Sequence, residues 1–223
     1  MQDLPDFERA FDYENSFYLS CDNARIGKLI AHYELFQMSL DVPGAIVECG
    51  VFVGASFMRF AMMRELFGGS HSRKLVGFDT FEEFPEVETA DEQKFRDRFV
   101  DQTGGAGLSV AQLTTALKHK GISENIELVA GDVLETVPEF AARNPEIRIS
   151  LLNIDTCTYD SCTTILETLY PRVAAGGVVV LDDYAAVEGE TRADEDFFRG
   201  MNITIRKFPF ARSPCYFVKP TLG

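Results

Sequence analysis

The chain has 223 residues with 46% hydrophobic content, which suffices for one sizeable core but not for two comfortable domains. Its net charge of −14 and pI near 4.6 argue against nucleic acid, other polyphosphates and anionic membranes as partners, because these need a basic footprint. No apolar run approaches the roughly 20 residues of a spanning helix, and the N-terminus is acidic where a signal peptide would be basic, so we expect a soluble, cytoplasmic protein.

The pattern of cysteines and histidines indicates neither a zinc knuckle nor a disulfide framework. The five cysteines are an odd number without C-x-x-C pairs, so reduced and mostly buried thiols are expected. The three histidines lie far apart and outside the motifs described below, which disfavours a histidine base but leaves open one that folds into the site. These residues are Cys21, Cys49, Cys157, Cys162, Cys215, His32, His71 and His119.

The first predicted elements are an N-terminal arm and a helix. Residues 1–21 alternate acids with aromatic residues, which fits an arm that packs on the body or, alternatively, a lid over a site or a dimer contact. Asp22 is a plausible helix cap, and apolar residues recur at helical spacing as far as Leu40. Pro43 and Gly44 then end the helix.

Residues 45–56 read A-I-V-E-C-G-V-F-V-G-A-S, which predicts a buried strand, a glycine turn and the start of a helix. Gly50 and Gly54 allow backbone conformations that a Cβ would block, and Ser56 is a candidate cap for the helix. A strand, a glycine turn and a helix together form the first half of a nucleotide-binding βαβ unit.

Glu48 favours a cationic ligand at this turn. The loop lacks both the G-x-G-x-x-G of dinucleotide sites and the lysine of a phosphate loop. A carboxylate just before the turn repels phosphate and attracts a cation, and S-adenosylmethionine (SAM) carries a sulfonium and an ammonium group. The alternative is a tight turn without a ligand.

Two acids at strand ends are candidates for binding the rest of SAM. The second predicted strand, 74–78, ends in Asp79, where a carboxylate accepts hydrogen bonds from a ribose diol. The third, 126–130, runs into Asp132, which would either accept a hydrogen bond from the adenine amine or cap a helix. Between them, residues 80–108 are predicted to cross over the carboxyl edge of the sheet.

The second half of the chain continues the alternation of strands and helices, which predicts a single α/β domain over 1–223 with a parallel sheet covered on both faces. Ligands then bind at the carboxyl edge of the sheet. The remaining predicted elements are helices at 91–100, 109–120, from Pro138, and at 160–170, and strands at 149–154, 178–181, 203–208 and 215–219, with a break at Pro171 and Gly176-Gly177.

Asp155, Asp182 and Asp183 end two central strands, so their side chains are expected to converge beside the cofactor. Unpaired carboxylates cannot crowd together without protons, a basic group or a shared cation, and no lysine or arginine stands beside them in these motifs. Ligands that are all oxygen select Mg²⁺, Ca²⁺ or Mn²⁺. The alternative is that one or two of these aspartates cap the next helix or loop.

Five blocks of sequence resemble a known family. They read E-C-G-V-F-V-G-A-S, V-G-F-D-T-F-E-E-F-P, A-G-D-V-L-E-T-V-P, N-I-D-T-C-T-Y-D-S and L-D-D-Y. In this order and spacing, over roughly 24–219, the chain resembles the macrocin O-methyltransferase (TylF-type) family, which includes sugar methyltransferases of macrolide and aminocoumarin pathways. The resemblance implies a class I SAM-dependent (Rossmann-like) fold of seven mostly parallel strands, Mg²⁺ dependence, a homodimer or larger assembly, and methylation of a hydroxyl on a small molecule.

The resemblance also assigns roles to the residues above. It places the ribose of SAM at Asp79, the adenine at Asp132, and the metal, Mg²⁺ or Mn²⁺, at Asp155, Asp182 and Asp183. It places the methionine end of SAM at the glycine turn, where the predicted cofactor residues are Glu48, Gly50, Gly54 and Ser56. The candidate catalytic residues are Asp155, Asp182 and Cys157. The chain departs from the family at Cys157, where the usual D-x-D-L-Y-E-S has an aspartate that is the general base in some members. Cys157 is therefore either a thiolate base, a metal ligand or a small packing residue, and the protein is either an enzyme or a SAM-binding scaffold that lost its chemistry.

Overall fold

The computed structural model describes residues 3–82 and 90–221, which are built on one seven-stranded sheet. The strands are β1 (Ala45–Cys49), β2 (Leu75–Asp79), β3 (Ile126–Ala130), β4 (Ile149–Ile154), β5 (Val173–Leu181), β6 (Arg206–Lys207) and β7 (Cys215–Val218). Their order is β3-β2-β1-β4-β5-β7-β6. The first five strands pair in parallel, and β7 runs antiparallel to β5 and β6. The prediction of seven mostly parallel strands is confirmed.

Helices cover both faces of the sheet, as predicted. They are α1 (Ala10–Ser20), α2 (Asn23–Ser39), α3 (Ala55–Phe67), α4 (Ala90–Thr103), α5 (Val110–His119), α6 (Val133–Arg143), α7 (Tyr159–Leu169) and α8 (Glu188–Phe198), with 3-10 turns at Phe7–Arg9 and Tyr170–Arg172. One core forms between the sheet and α6, α7 and α8, and the other between the sheet and α2, α3 and α5. All six residues of β4 are buried, as expected for a central parallel strand.

The capping signals position two helices where the sequence predicts them. The Asp22 side chain accepts a hydrogen bond from the Arg25 N–H at the start of α2. Ser109 and Gln112 form a reciprocal capping box at the start of α5. The region 80–108 contains α4, which is longer than the predicted helix at 91–100, and residues 83–89 lie outside the described part of the chain.

Three predicted elements have wrong boundaries. Helix α6 begins at Val133 rather than at Pro138, because the Asp132 side chain caps it and the helix tolerates the proline inside. Strand β5 begins at Val173 and runs through the two glycines at 176 and 177, which shift the register instead of breaking the strand. The predicted strand at 203–208 shortens to the two residues of β6.

The N-terminal arm packs on the body at its beginning. Leu4 packs against the core under α2, α3 and α5, and the Phe7 ring stacks on His119 with centroids 4.3 Å apart. Helix α1 buries none of its residues, and Phe11 and Leu19 are 74% and 90% exposed. The role of α1 as a lid or a dimer contact stays a prediction. No helix in the described ranges is long and apolar enough to cross a membrane.

Candidate active site

A cavity of about 470 Å³ lies at the carboxyl ends of the central strands. The predicted site residues that line it are Gly50, Ser56, Asp79, Asp132, Asp155, Cys157, Asp182 and Asp183. Glu48 and Gly54, which were also predicted as cofactor residues, do not line it. Eight of the ten predicted site residues thus line one cavity at the ends of five strands, and their roles stay predictions.

The glycine turn holds the loop after β1 close to the end of β4. Gly50 has a φ of +93°, and a Cβ on it would overlap the carbonyl oxygen of Asp155. Gly54, with a φ of +77°, occupies the N-cap position of α3. The prediction that Ser56 caps this helix is therefore wrong, because a left-handed glycine ends the turn one residue before the helix begins.

Ser56 instead makes a hydrogen bond to a buried acid. Its hydroxyl donates to Glu48 Oε1 at 2.7 Å, and Glu48 is wholly inside the protein. Burial raises the pKa of Glu48 to about 8, against which the Ser56 hydrogen bond acts only in part. Glu48 is therefore mostly neutral at pH 7, behind Ser56 as seen from the cavity. Its part in holding SAM stays a prediction.

Asp79 fixes the glycine loop. Its Oδ2 accepts hydrogen bonds from the backbone N–H groups of Val51 and Phe52, both at 2.8 Å, and its Oδ1 accepts one from Phe81 at 2.8 Å. Three charge-assisted bonds to the backbone order the loop before any ligand arrives. A carboxylate has about four acceptor sites, and the Thr80 hydroxyl, 3.4 Å from Oδ1, takes the fourth. A ribose hydroxyl would have to replace this long contact, so the ribose contact stays a prediction.

Asp132 caps α6 through a hydrogen bond from the Leu134 N–H at 2.9 Å. The helix-cap interpretation of Asp132 is thereby confirmed. Because Asp132 also lines the cavity, the hydrogen bond to adenine stays a prediction.

Asp155, Cys157 and Asp183 form the tightest group of candidate metal ligands, with one ligand atom from each lying within 4.8 Å of the others. The Cys157 thiol donates to Asp183 Oδ2 at 3.1 Å. Burial, together with the negative charges of Asp183 and Asp155, raises the pKa of Cys157 well above its ordinary value. The thiol is therefore protonated at neutral pH.

Asp182 lies outside this group of three and forms an ion pair with Lys28 of α2, next to His32 of the same helix. Its Oδ2 accepts from the Lys28 ammonium, and its Oδ1 lies 3.9 Å from His32 Nε2. Although burial opposes ionisation, His32 and Lys28 lower the pKa of Asp182 to about 2. The motifs themselves contain no lysine or arginine beside the aspartates, but the fold brings Lys28 to Asp182 from a helix outside them. Lys28 and His32 are spaced i, i+4 on α2, a polar pair that the apolar periodicity of the helix obscured.

Comparison with known proteins identifies the family. Residues 17–209 match the macrocin-O-methyltransferase (TylF) family. The chain belongs to this family. The resemblance predicted from the five sequence blocks is thus confirmed.

Relatives of this TylF-family chain include two methyltransferases of known name. It is 31% identical, over 65% of its length and 54% of the relative's, to the 8-demethyl-8-(2,3-dimethoxy-alpha-L-rhamnosyl)-tetracenomycin-C 4'-O-methyltransferase of Streptomyces olivaceus. It is 23% identical, over 64% of its length and 56% of the relative's, to the mycinamicin III 3''-O-methyltransferase of Micromonospora griseorubida. The chain therefore matches only about half the length of these relatives.

Solved structures share the fold of this TylF-family chain. The crystal structure of CalS11, a calicheamicin methyltransferase, aligns with a TM-score of 0.70 and 26% identity over 92% of this chain and 83% of CalS11. The O-methyltransferase NovP aligns with a TM-score of 0.75 and 20% identity over 88% of this chain and 81% of NovP. The fold is that of the class I SAM-dependent methyltransferases.

Helix α8 adds two buried carboxyls beneath the site of the TylF-family chain. Glu190 accepts a hydrogen bond from the Asp183 N–H at 2.9 Å, which ties the aspartate loop to the helix. Asp194 lies one turn further along, with its Oδ1 3.5 Å from the Cys162 sulfur and its Oδ2 without a partner among the described residues. Burial raises the pKa of Asp194 to about 7.

Asp194 predicts a pH dependence of stability. The native state keeps the Asp194 proton to a higher pH than the unfolded chain, so the free energy of unfolding falls as the pH rises from about 4 to about 7. Between pH 5 and pH 8 the free energy of unfolding of wild type should fall. In Asp194→Asn we expect this fall to be smaller by about 2 to 3 kcal/mol. Urea denaturation at the two pH values measures it, with Glu188→Gln, exposed on the same helix, as the control. Equal pH dependence in wild type and Asp194→Asn would refute the assignment.

Proposed function

We propose that this protein is a SAM-dependent, divalent-metal-dependent O-methyltransferase that acts on a hydroxyl of a small molecule, a (deoxy)sugar or another natural-product intermediate. The observation that carries the proposal is that the glycine loop and the strand-end aspartates line one cavity in a chain of the TylF family. Two named relatives are O-methyltransferases of glycosylated natural products, and CalS11 is described as a TDP-rhamnose 3'-O-methyltransferase. The proposed acceptor follows from these similarities.

The residues of the loop position the cofactor. Gly50 brings the backbone close to the methionine end of SAM, Ser56 offers its hydroxyl there, and the ribose takes the acceptor position on Asp79 that the Thr80 hydroxyl occupies at 3.4 Å. Transfer of the methyl group is an in-line displacement of the sulfonium, so alignment of the acceptor oxygen with the methyl carbon supplies much of the rate enhancement.

The donor set at the carboxyl edge fits a hard divalent cation. Asp155 and Asp183 present carboxylates to the same point, and Asp182 Oδ1 is buried without a hydrogen-bond partner in the described part of the chain. Oxygen ligands of this kind suit Mg²⁺ or Mn²⁺, whereas the Cys157 sulfur is too soft for Mg²⁺. A bound cation would lower the pKa of the acceptor hydroxyl. The three aspartates would hold it, and Lys28 would keep Asp182 ionised.

Cys157 acts in this proposal as a packing residue, because its raised thiol pKa disfavours a thiolate base. We expect Cys157→Ala to retain turnover within about tenfold of wild type, which is less than the 10² to 10⁴ lost with a general base. Turnover is measured by mass spectrometry with the best acceptor from a screen of sugars and glycosides. A loss beyond a hundredfold in a folded, SAM-binding variant would identify Cys157 as the base.

The second candidate is a SAM-binding scaffold without catalysis, which the exchange of an aspartate for Cys157 favours. Calorimetry with S-adenosylhomocysteine, with and without Mg²⁺, separates the two. Binding together with metal-dependent turnover supports the enzyme, whereas binding indifferent to metal and without turnover supports the scaffold. Absence of binding contradicts both. The expected homodimer or larger assembly is checked by light scattering.

A further inference from the structure

Three cationic side chains line the cavity. Arg25 and Lys28 come from α2, and Arg59 comes from α3, one turn after Ser56. The same lining also holds six acidic residues. Arginines beside so many carboxyl groups are expected to pair with them, so unpaired arginines in this cavity need a specific explanation.

Lys28 is paired, but the two arginines are not. The Lys28 ammonium donates to Asp182. Across residues 3–82 and 90–221, the guanidinium groups of Arg25 and Arg59 form no hydrogen bond and no ion pair. Arg64, on the same helix as Arg59, shows the opposite behaviour, since its guanidinium bonds to Glu65 and to three backbone carbonyls.

The position of Arg59 is electrostatically unfavourable without a ligand. The side chain is half-buried, and burial, added to the positive charge of Arg25, lowers the pKa of Arg59. The acids that favour the charged form are Asp182 and Glu48. Asp182 is already neutralised by Lys28, and Glu48 is mostly protonated at pH 7. A guanidinium that is partly desolvated and has no partner therefore gains from an incoming anion.

We propose that Arg25 and Arg59 bind an anionic group, a carboxylate or a phosphate, of a molecule held in this cavity. The planar fork of donors on each guanidinium matches both oxyanions in bidentate geometry. The inference rests on the proposed function and leaves two sources for the anion. One is the methionine carboxylate of SAM, because Arg59 follows Ser56 on α3; the other is an anionic substituent of the acceptor.

The test uses three probes and matched variants of the full chain. Arg25→Met and Arg59→Met remove the charge while keeping much of the side-chain length. The probes in calorimetry are S-adenosylhomocysteine, 5′-methylthioadenosine, which lacks the carboxylate and the ammonium group, and inorganic pyrophosphate. Arg143→Met, exposed at the far end of α6, changes the net charge equally and is the control. Arg25 is itself exposed, so the Arg25 variant tests the proposal even if Arg59→Met fails to fold.

A loss of affinity of about tenfold or more for S-adenosylhomocysteine, with 5′-methylthioadenosine unchanged, supports the carboxylate of the cofactor. An equal loss for pyrophosphate, with S-adenosylhomocysteine unchanged, supports an anionic acceptor. Affinities within twofold of the Arg143→Met control for all three probes overturn the proposal. Absence of S-adenosylhomocysteine binding in wild type would instead refute the proposed function, so the two failures are distinguishable.

Discussion

Asp79→Ala is expected to weaken the binding of S-adenosylhomocysteine by at least a hundredfold. The variant loses the acceptor of three backbone hydrogen bonds, from Val51, Phe52 and Phe81, in addition to the proposed ribose contact. Hydrogen bonds to a charged group are each worth about 1.5 to 3 kcal/mol. Loss of several of them should therefore weaken the binding free energy of S-adenosylhomocysteine by about 3 kcal/mol or more. The glycine loop would no longer be ordered before the ligand arrives.

Calorimetry measures this affinity, and thermal unfolding shows whether the protein still folds. Ser109→Ala is the matched control, because Ser109 lies outside the cavity lining and its described role is a helix cap worth about 1 kcal/mol. An Asp79→Ala protein that folds and binds S-adenosylhomocysteine within threefold of wild type would contradict the role assigned to Asp79.

Removal of divalent metal is expected to lower methyl transfer by at least about a hundredfold, and added Mg²⁺ or Mn²⁺ should restore it. Asp155→Asn should reproduce the loss even with metal in excess, because the amide removes a charge at the point where Asp155 and Asp183 meet. Direct titration with Mn²⁺, followed by electron paramagnetic resonance, measures binding independently of turnover.

Affinity for S-adenosylhomocysteine serves as the control in the metal experiment, since it should change little in Asp155→Asn. Full methyl transfer in EDTA would remove the cation from the mechanism. In that case Lys28, already paired with Asp182, would be the nearest positive charge in the aspartate group.

The sequence predicts the framework well because its signals are local. The apolar run 149–154 coincides with β4, and the caps at Asp22 and Ser109 coincide with the starts of α2 and α5. The ends of β2, β4 and β5 are each marked by a change from apolar residues to an aspartate, so Asp79, Asp155 and Asp182 follow directly from the strands. The predicted boundaries at Pro138 and Gly176 are wrong because contacts of the flanking residues keep α6 and β5 intact through residues that commonly end a helix or a strand.

The partners of those aspartates could not be predicted, because they depend on long-range packing. Lys28 and Asp182 are 154 residues apart and meet only because α2 packs over β5. The change in the protonation of Glu48 has the same origin, since burial raises its pKa and a sequence does not report burial. The sequence locates the acids, whereas the tertiary structure determines their charges.

The contact between Gly50 and Asp155 has a consequence for the tolerance of the chain to variation. Any side chain at position 50 would collide with the backbone of Asp155, the residue that follows β4. This backbone cannot move aside as the end of a flexible side chain could. Glycines such as Gly69 and Gly200 face open space, so substitution there meets only backbone strain. In a library that samples every residue at every position, position 50 should accept glycine alone, while positions 69 and 200 should accept asparagine and aspartate as well.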